Sequence, residues 1–568
     1  MAGWSWRAVS ALLLGLGSLP LANAQIIQGL SLKRDKLLKV SSEVNPPVLD
    51  VSDGLKTFCG QKLDHFAKND DRTWCQRYTT NRTYWKAGGP VFVCIDGEDY
   101  PWGGSRKPYT LMCNNMMELA KEFNAMGMAV EHRYYGGAAF DGVPDFSAEN
   151  LKYHSSRQAL ADLADIHDYI VRTESFDVKG VPWVVFGGSY PGSLSAWARQ
   201  LYPERFAASV ASSAPLQAQL DFSGYNAVVS SALAAPSIGG SPECLATVAK
   251  GHAEIGDLLT SERGRRSLER KFKLCGTNAL DDIDNRAQWA GTDGVVATIP
   301  QYNSAKCNHT SCNMRLFCGN LSEMANSSES TSALDAIVLM KEHQDKEDAL
   351  GGSAPGPCTS VSFANLTIKA MNITQKVNYS DSRSGDQFSR LWYYQTCTEF
   401  GWYQTCETGS NCPWTQGYNT VDWNLKPCQL LFGISPEKVK ENIKKTNDFY
   451  HGILYPKTTR TIFPNGEVDP WHWESVLEHE NPEIDTIFIK GASHCEWMHA
   501  VHPAMSEHLV VAKKAIQNKI ASWLRHPEPL VAAATDLHSI RQRKFLASDS
   551  EVDTVSHLQI PVLRDEEL

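Results

Sequence analysis

The chain has 568 residues, of which 42% are hydrophobic and 21% are charged, and its formal net charge at pH 7 is -10. This composition excludes a disordered or fibrous protein, and the length suffices for one large domain with an insertion or for two domains. Because basic residues are scattered through an acidic chain, no nucleic-acid partner is expected.

The N-terminus has the pattern of a signal peptide, residues 1–24. Arg7 precedes an apolar run over residues 8–21, and small residues lead up to a cleavage position after Ala24. An uncleaved membrane anchor is the alternative, but the run is shorter than the roughly 20 apolar residues that span a bilayer. The sequence therefore predicts cleavage, no stable membrane insertion, and an N-terminal lead over residues 25–55.

Short runs rich in Val, Ile and Phe then alternate with helix-like stretches. Such runs are typical of parallel strands buried on both faces, and the alternation predicts a doubly wound, mostly parallel α/β sheet in two parts, residues 56–216 and 458–525. The predicted strands span residues 90–95, 128–133, 182–186, 206–212, 460–463 and 486–489. The predicted helices span residues 111–123, 156–174, 191–202 and 503–524.

Between residues 217 and 457 the alternation stops, and we predict an inserted, mostly helical cap domain there. This stretch holds most of the cysteines and six of the seven Asn-X-Ser/Thr sequons. After it and the second part of the sheet, residues 526–568 turn polar and mixed in charge, which predicts a flexible tail. The predicted glycosylation sites are Asn81, Asn308, Asn320, Asn326, Asn365, Asn372 and Asn378.

The 15 cysteines all follow the signal-like segment, and their odd number leaves at least one thiol unpaired. Disulfides are favoured over a zinc site, because no paired Cys-X-X-Cys spacing occurs with histidines. Cys59 and Cys75 are spaced to close a short loop, whereas the pairing within two later groups stays open. These groups are Cys307, Cys312 and Cys318, and Cys397, Cys406, Cys412 and Cys428.

The motif Gly-Gly-Ser-Tyr-Pro-Gly at residues 187–192 lies between a predicted strand and a predicted helix. This is the context of a nucleophile elbow, a sharp turn that holds a serine over the end of the sheet. Pro191 replaces the second glycine of the common pattern, a change that the first turn of a helix tolerates. An ordinary Gly-Ser turn is the alternative to the predicted nucleophile, Ser189.

In α/β-hydrolases the serine is followed by an acid and then a histidine, each on a loop after a late strand. Asp469 and His494 meet this description, since each follows one of the last two predicted strands. We predict that His494 takes the proton from Ser189 while Asp469 fixes the histidine tautomer. The alternatives are Glu467 for the acid and His499 or His502 for the base.

Two backbone amides are predicted to form the oxyanion hole. The amide of Tyr190, at the start of a helix, is one of them. The second is expected from the loop after the first strong strand, at Gly97 or Glu98. Glu98 has two further interpretations, as a substrate anchor and as a plain turn residue.

Six separated motifs carry a family resemblance. They lie at residues 88–98, 131–135, 187–190, 392–401, 465–471 and 491–494. Together they resemble the lysosomal Pro-X carboxypeptidase and dipeptidyl peptidase II family of serine peptidases, over about residues 66–524. The resemblance implies an α/β-hydrolase fold with a helical insertion, a triad of Ser189, Asp469 and His494, and cleavage after proline. The chain departs from the family at Pro191, at Ser493 and in its long tail.

Aromatic side chains beside the predicted triad are candidates to enclose a proline ring. Trp471 is the first, because the family's Asp-Pro-Trp motif supplies a pocket wall, and Tyr190 and Trp497 are the others. Gln395 and Glu399, on an aromatic run of the insertion, are expected either to reach a charged peptide terminus or to be structural polar residues.

The expected function is therefore hydrolysis of short peptides after proline by a serine peptidase that uses no cofactor and no metal. We expect it to be secreted or to reach the lysosome or vacuole. Its expected partners are short peptides and, in a homodimer, a second copy of the chain. The alternatives are a secreted carboxylesterase or lipase with the same elbow, and an inactive binding protein that keeps the fold.

Overall fold

The computed structural model describes residues 54–98, 113–173, 178–291, 295–298, 300–352, 356–378, 380–454, 456–503 and 505–526. The predicted signal peptide, nearly all of the predicted lead and nearly all of the predicted tail lie outside these residues. Within them, no helix combines the length and the apolar character needed to cross a membrane.

Ten strands form two sheets. In chain order they are β1 (Leu55–Lys62), β2 (Thr73–Asn81), β3 (Val91–Ile95), β4 (Met126–Val130), β5 (Trp183–Gly188), β6 (Ala208–Ser212), β7 (Gln219–Asp221), β8 (Gly401–Tyr403), β9 (Thr461–Gly466) and β10 (Ile484–Ile489). The main sheet has the order β1-β2-β4-β3-β5-β6-β9-β10, and β7 pairs with β8 in a small separate sheet. In the main sheet β2 pairs antiparallel with β1 and β4, and every other neighbouring pair is parallel.

Thirteen α-helices accompany these strands among the described residues. They are α1 (Asn114–Phe123), α2 (Ser156–Thr173), α3 (Tyr190–Leu201), α4 (Ser223–Ala234), α5 (Pro242–Leu259), α6 (Glu262–Lys271), α7 (Ile283–Ala290), α8 (Met314–Ala325), α9 (Ala333–Leu350), α10 (Ser384–Gln395), α11 (Val421–Phe432), α12 (Pro436–Tyr450) and α13 (Glu507–Arg525). The four helices predicted for the sheet portion correspond to α1, α2, α3 and α13.

The side chains of the central strands alternate between two hydrophobic cores. Along β3, Val91 and Val93 pack in the core that also holds residues of α2 and α3, whereas Phe92 and Cys94 pack with α1 and α13. All five residues of β3 are buried, as expected for a parallel strand covered by helices on both faces. This arrangement confirms the predicted α/β-hydrolase fold.

The first two strands were not predicted. In β1, half-buried and exposed residues alternate over most of its length, so the strand lacks the continuous apolar run of a central parallel strand. It pairs only with β2 and forms one edge of the sheet. Because β1 begins at Leu55, the folded part of the chain overlaps the last residue of the predicted lead.

Between β6 and β9 the chain forms α4 to α12 and the two strands of the small sheet. We call residues 217–457 the insertion, keeping the predicted bounds. Seven disulfides join fourteen of the cysteines, and Cys495 is free. The pairs are Cys59–Cys75, Cys94–Cys113, Cys244–Cys318, Cys275–Cys358, Cys307–Cys312, Cys397–Cys428 and Cys406–Cys412. Five lie wholly within the insertion and two within the sheet portion, so no disulfide joins the two regions.

The predicted glycosylation sites differ in exposure. Five of the six in the insertion are exposed, and Asn320 is half-buried. By contrast, Asn81 is 4% exposed, and its side-chain oxygen accepts a hydrogen bond from the Thr83 amide at 3.0 Å. The structure therefore disfavours a glycan at Asn81 in the folded protein, whereas the exposed sites leave room for one.

Candidate active site

Ser189 occupies a strained turn between β5 and α3. Its backbone angles are φ 64° and ψ -135°, a region that non-glycine residues rarely adopt and that costs about 1 to 3 kcal/mol. The Ser189 amide donates to the Ser212 carbonyl at 2.9 Å, which ties the turn to the end of β6. The turn thus places the predicted nucleophile, which is half-buried, at the carboxyl edge of the sheet.

Asp469 and His494, from the loops after β9 and β10, are in direct contact. The Asp469 Oδ1 atom lies 2.8 Å from His494 Nδ1, and the Trp471 amide donates to the same oxygen at 3.0 Å. A carboxylate can only accept at this contact, so Nδ1 carries the proton and Nε2 is left as the acceptor. The Nε2 atom is buried and has no hydrogen-bond partner among the described residues.

The environment of His494 favours its protonated form. Burial lowers the pKa of the imidazolium, but the fully buried Asp469 carboxylate and the neighbouring Cys495 thiol outweigh this effect. The net result is a pKa well above the usual value of histidine. An imidazole in this setting is well suited to accept and hold a proton during a reaction.

The loops that carry Ser189 and His494 meet at the end of β6. Ser212 accepts from the Ser189 amide, and the Ser213 hydroxyl accepts from the Cys495 amide at 3.0 Å. A Cβ atom added to Gly188 would lie 2.9 Å from the Cys495 sulfur. The residues next to Ser189 and next to His494 are therefore in contact, although 300 or so residues separate them along the chain.

The candidate oxyanion-hole residues also lie together. Tyr190 is the first residue of α3, where backbone amides have no acceptor within the helix. Gly97 packs directly on Pro191, since a Cβ atom on Gly97 would come within 2.2 Å of the proline Cγ. Glu98 is half-buried and lies close enough to Tyr135 to raise the pKa of that phenol, although burial has the larger effect. The loop after β3 thus adjoins the elbow.

Trp471 lies against the base within a cluster of aromatic rings. Its ring centroid is 6.4 Å from that of His494, and the side chain is 5% exposed. Edge-on contacts with Tyr225 and Trp402 hold the indole at interplanar angles of 81° and 84°. The side chain that was predicted to line the substrate pocket thus lies next to His494.

Trp497 lies in the hydrophobic core. It is fully buried among residues of α1 and α13, and its indole nitrogen donates to the Ser212 hydroxyl at 2.9 Å. This placement favours a role in bracing the end of β6 over the predicted contact with substrate.

Gln395 and Glu399 are both buried and both bonded to the sheet portion. Gln395 donates to the Tyr190 hydroxyl at 3.1 Å and accepts from the Tyr135 hydroxyl. Glu399 accepts from the amide and the hydroxyl of Ser156, at the start of α2. Burial raises the pKa of Glu399 to about 7 despite these bonds. Of the two predicted roles, these contacts favour the structural one.

A chain of hydrogen bonds extends from Gln395 through Tyr190. The His132 Nδ1 atom contacts the Arg133 carbonyl at 2.8 Å, so Nδ1 is the donor and Nε2 accepts from the Tyr190 hydroxyl at 3.0 Å. Burial lowers the pKa of His132 to about 4, so the ring stays neutral at physiological pH. The side chain next to the predicted nucleophile is thus held from both the sheet portion and the insertion.

The alternative acid, Glu467, and the alternative bases, His499 and His502, have different surroundings from Asp469 and His494. Glu467 accepts from the Gly491 amide at 2.7 Å and so braces the loop that carries His494. His499 is exposed, and the pKa of His502 is lowered first by burial and then by the positive charges of Lys306 and Lys513. Within the described residues, no group of three or more His, Cys, Asp or Glu side chains is arranged to hold a metal ion.

A protein-family model, serine carboxypeptidase S28, matches residues 61–516. The chain belongs to the serine carboxypeptidase S28 family. It is therefore a serine peptidase, and the resemblance drawn from its six motifs is confirmed. The thymus-specific serine protease of Mus musculus is 36% identical over 82% of this chain and 86% of that protein. The lysosomal Pro-X carboxypeptidase of Homo sapiens is 24% identical over 82% of this chain and 87% of that protein.

Solved structures resemble this S28 peptidase more distantly. An esterase of Pyrobaculum calidifontis aligns over 91% of this chain and 99% of its own, at 11% identity and a TM-score of 0.31. The fold assignment rests on the strand order and the helices on both faces of the sheet instead.

Sequence reasoning missed one residue of the S28 peptidase that contacts the site from the insertion. Gln301, which is 4% exposed, accepts from the Trp471 indole at 2.9 Å, and its carbonyl accepts from the His494 amide at 3.2 Å. These contacts span 170 residues or more of sequence, and a lone glutamine in an irregular segment carries no pattern that reveals them.

Proposed function

We propose that this serine peptidase uses Ser189 as the nucleophile, His494 as the general base and Asp469 as the residue that orients His494. The observation that carries the proposal is the 2.8 Å contact between Asp469 and His494, on a loop whose Cys495 touches the strained strand-to-helix turn that holds Ser189. Backbone strain of this kind concentrates at functional sites, and this order of residues is typical of α/β-hydrolases.

The reaction follows from the roles of the two histidine nitrogens. Ser189 Oγ attacks the scissile carbonyl carbon while His494 Nε2 takes the hydroxyl proton. The tetrahedral intermediate then collapses, the C–N bond breaks, and the leaving amine takes that proton from Nε2. Water attacks the resulting ester in the same way, with Nε2 as base, and releases the acid product and free Ser189. Throughout, the Asp469 carboxylate stabilises the positively charged ring.

The Tyr190 amide and an amide from Gly97 or Glu98 would stabilise the oxyanion of the intermediate. Support comes from the contact of Gly97 with Pro191, which sets the loop after β3 beside the first turn of α3. Each donor of this kind accelerates the chemical step by about 100-fold to 1,000-fold.

The proposed substrates are short peptides with proline on the amino side of the scissile bond. Aromatic rings suit the compact apolar ring of proline, and Trp471 lies beside His494 among such rings. One relative bears the name lysosomal Pro-X carboxypeptidase, which agrees with this preference. Because a hydrophobic pocket discriminates by about 1 to 3 kcal/mol, we expect alanine to be cleaved about 10-fold to 200-fold more slowly.

We place the working enzyme in the lysosome or outside the cell. Its seven disulfides and the exposed sequons of the insertion support an oxidising secretory route. Treatment of the protein from a eukaryotic host with a glycosidase that removes N-linked sugars, followed by mass analysis, tests this route.

The deciding experiment is labelling of the purified protein with a fluorophosphonate, which reacts with activated serines, followed by peptide mapping. We expect the adduct on Ser189 and none after Ser189→Ala. The matched control is Ser193→Ala, because Ser193 lies in the first turn of α3 close to Ser189, is buried and donates to the Pro215 carbonyl at 2.8 Å. A wild-type protein without label would indicate an inactive binding protein.

Substrate assays then separate peptidase from esterase. One proline-containing peptide is digested with free, amidated or acetylated ends, next to a p-nitrophenyl ester. The products, read by mass, identify cleavage at the carboxyl end, after an amino-terminal dipeptide, or internally. Cleavage indifferent to proline would refute the proposed substrate preference, and turnover of the ester alone would favour a carboxylesterase.

A further inference from the structure

Gln301 lies where the insertion meets the loops of the acid and the base. Its side-chain oxygen accepts from the Trp471 indole and from the Tyr225 hydroxyl, each at 2.9 Å. Its amide nitrogen donates to the Tyr302 hydroxyl at 3.2 Å, and its backbone carbonyl accepts from the His494 amide at 3.2 Å. One buried residue of the insertion thus contacts both the pocket wall and the base loop.

The chemistry of these contacts fixes the orientation of the Gln301 amide. An indole nitrogen can only donate, so the atom that faces Trp471 must be the amide oxygen. The second lone pair of the same oxygen then accepts the hydrogen bond from the Tyr225 hydroxyl. One buried oxygen therefore accepts from both Trp471 and Tyr225. Bulk water cannot take its place unless the surrounding residues rearrange.

The ring that Gln301 holds is the one nearest to His494 on this side of the site. Trp471 contacts the rings of Phe222 at 5.3 Å, Tyr225 at 5.9 Å and Trp402 at 5.7 Å between centroids. These ring contacts favour edge-on angles, and the hydrogen bond that the indole nitrogen donates to Gln301 adds a directional restraint on the plane of the ring.

We infer that Gln301 is a specificity-determining positioning residue, which sets the shape of the pocket beside Ser189 by holding the indole of Trp471. This inference rests on the proposed function, since it needs Trp471 to line the site that accepts the residue before the scissile bond. Gln301 itself takes no part in proton transfer. Its side chain acts on selectivity, and its backbone carbonyl holds His494 whatever the side chain is.

The test compares Gln301→Met with the wild type. Methionine has a similar volume and neither a strong acceptor nor a donor, so it removes all three side-chain hydrogen bonds and keeps the backbone bond to His494. We expect the ratio of kcat/KM for proline over alanine substrates to fall about threefold to tenfold, as expected for loss of a hydrogen bond that orients one ring. The rate of fluorophosphonate labelling at Ser189 should change less than twofold, because that reagent does not need the pocket.

Gln344→Met is the matched control. Gln344 is also a buried glutamine of the insertion, 5% exposed, and it makes two hydrogen bonds, both to the backbone of Ala297. Its loss should lower the melting temperature comparably without changing the selectivity ratio. Equal ratios for the two variants and the wild type, with labelling of Ser189 intact, would overturn the inference and leave the proposed function standing.

Two further variants test whether Gln301 acts on selectivity through Trp471. Trp471→Phe keeps an aromatic ring and removes the donor, so adding Gln301→Met to it should change the ratio no further. Gln301→Glu keeps an accepting oxygen while its buried carboxyl group stays protonated, so it should retain the wild-type ratio toward the acidic end of the pH range in which the enzyme is active. An additive effect in the double variant would contradict the inference.

The outcomes remain distinguishable from failure of the proposed function. A wild-type protein that takes no label at Ser189 removes the reaction and overturns both proposals. If the wild type is labelled but prefers another residue to proline, the same ratio is measured for that residue against alanine. A fall confined to Gln301→Met supports the inference even then.

Discussion

The sheet portion and the insertion contribute to the proposed site in different ways. Ser189, Asp469 and His494 all lie at carboxyl ends of strands of the main sheet, where short loops hold them. The insertion supplies Gln301 and Gln395, which reach the site through hydrogen bonds across 170 and 205 residues of sequence. The comparison teaches that reacting groups are specified locally, whereas the contacts that orient them are specified by packing between distant segments.

The two regions also differ in how they are held. Each disulfide stays within one region, so noncovalent packing attaches the regions, through a shared hydrophobic core and through buried polar contacts such as Glu399 with Ser156. Buried hydrogen bonds of this kind are costly to leave half-made, which makes each partner sensitive to substitution. Changes in the sheet portion should therefore abolish the chemistry, and changes in the insertion should alter its selectivity or stability.

The largest effect is expected from Ser189→Ala. Removing the nucleophile should lower kcat by about a million-fold, because the nucleophile and its base act as one unit. The measurement is peptidase activity of the purified variant, with circular dichroism to show that the fold is intact. Substantial activity in this folded variant would show that the elbow is an ordinary Gly-Ser turn.

Asp469→Asn should lower kcat by about 10,000-fold, because asparagine stabilises the wrong histidine tautomer. The pH profile sharpens this prediction. His494 must be neutral to act, so activity rises as pH passes its pKa, which Asp469 holds above the usual histidine value. In the variant the rise in kcat/KM should move to lower pH. The control is Glu467→Gln, which alters a neighbouring carboxylate on the same loop and should leave the position of the rise unchanged.

A smaller effect, on the free energy of unfolding, is expected from two buried carboxyl groups, one in each region. Burial raises the pKa of Glu474, in the loop after Asp469, from 4.5 to about 8, and that of Glu399, in the insertion, to about 7. A raised folded-state pKa gives stability that is complete below the unfolded value near 4.5 and is lost as pH rises through 7 and 8. From pH 8 to pH 5, Glu474 should thus add about 3 kcal/mol to the free energy of unfolding and Glu399 less, whereas buried histidines with a lowered pKa, such as His132, act in the opposite sense.

Urea denaturation at the two pH values measures this difference. Glu474→Gln should remove the part that Glu474 contributes, since glutamine mimics the protonated acid and the Oε1 atom of Glu474 has no hydrogen-bond partner among the described residues. Glu399→Gln should remove less, because it also weakens the bonds to Ser156. A variant whose stability changes between pH 5 and pH 8 as much as that of the wild type would contradict the burial of the substituted group in uncharged form.

The smallest effect concerns glycosylation. Asn81→Gln should change neither the mass of the glycosylated protein nor its activity, because the side chain is buried in the sheet portion. Asn308→Gln, at an exposed site of the insertion, should reduce the mass by one glycan. Mass spectrometry of protein from a eukaryotic host distinguishes the two, and a sugar found on Asn81 would contradict its burial in the folded chain.

Much of the sheet portion could be predicted, because parallel strands, the elbow and the loops after strands each leave a local pattern. β1 and β2 could not, since β1 is an edge strand of mixed exposure and β2 is rich in polar residues, so both lack the apolar run that marks central strands. The structural role of Gln395 was left open, because a polar residue in an aromatic run is equally suited to bind substrate or a buried tyrosine. Gln301 was missed, since its partners come from three distant segments.

The meeting of two loops at Ser212 and Ser213 has a consequence for biosynthesis. The Ser213 hydroxyl accepts from the Cys495 amide, which lies 282 residues further along the chain and is therefore translated much later. A nascent chain that has already formed β5, α3 and β6 carries the serine and no base. If Ser189, Asp469 and His494 form the proposed triad, activity requires that β9 and β10 have been synthesised and have joined the sheet.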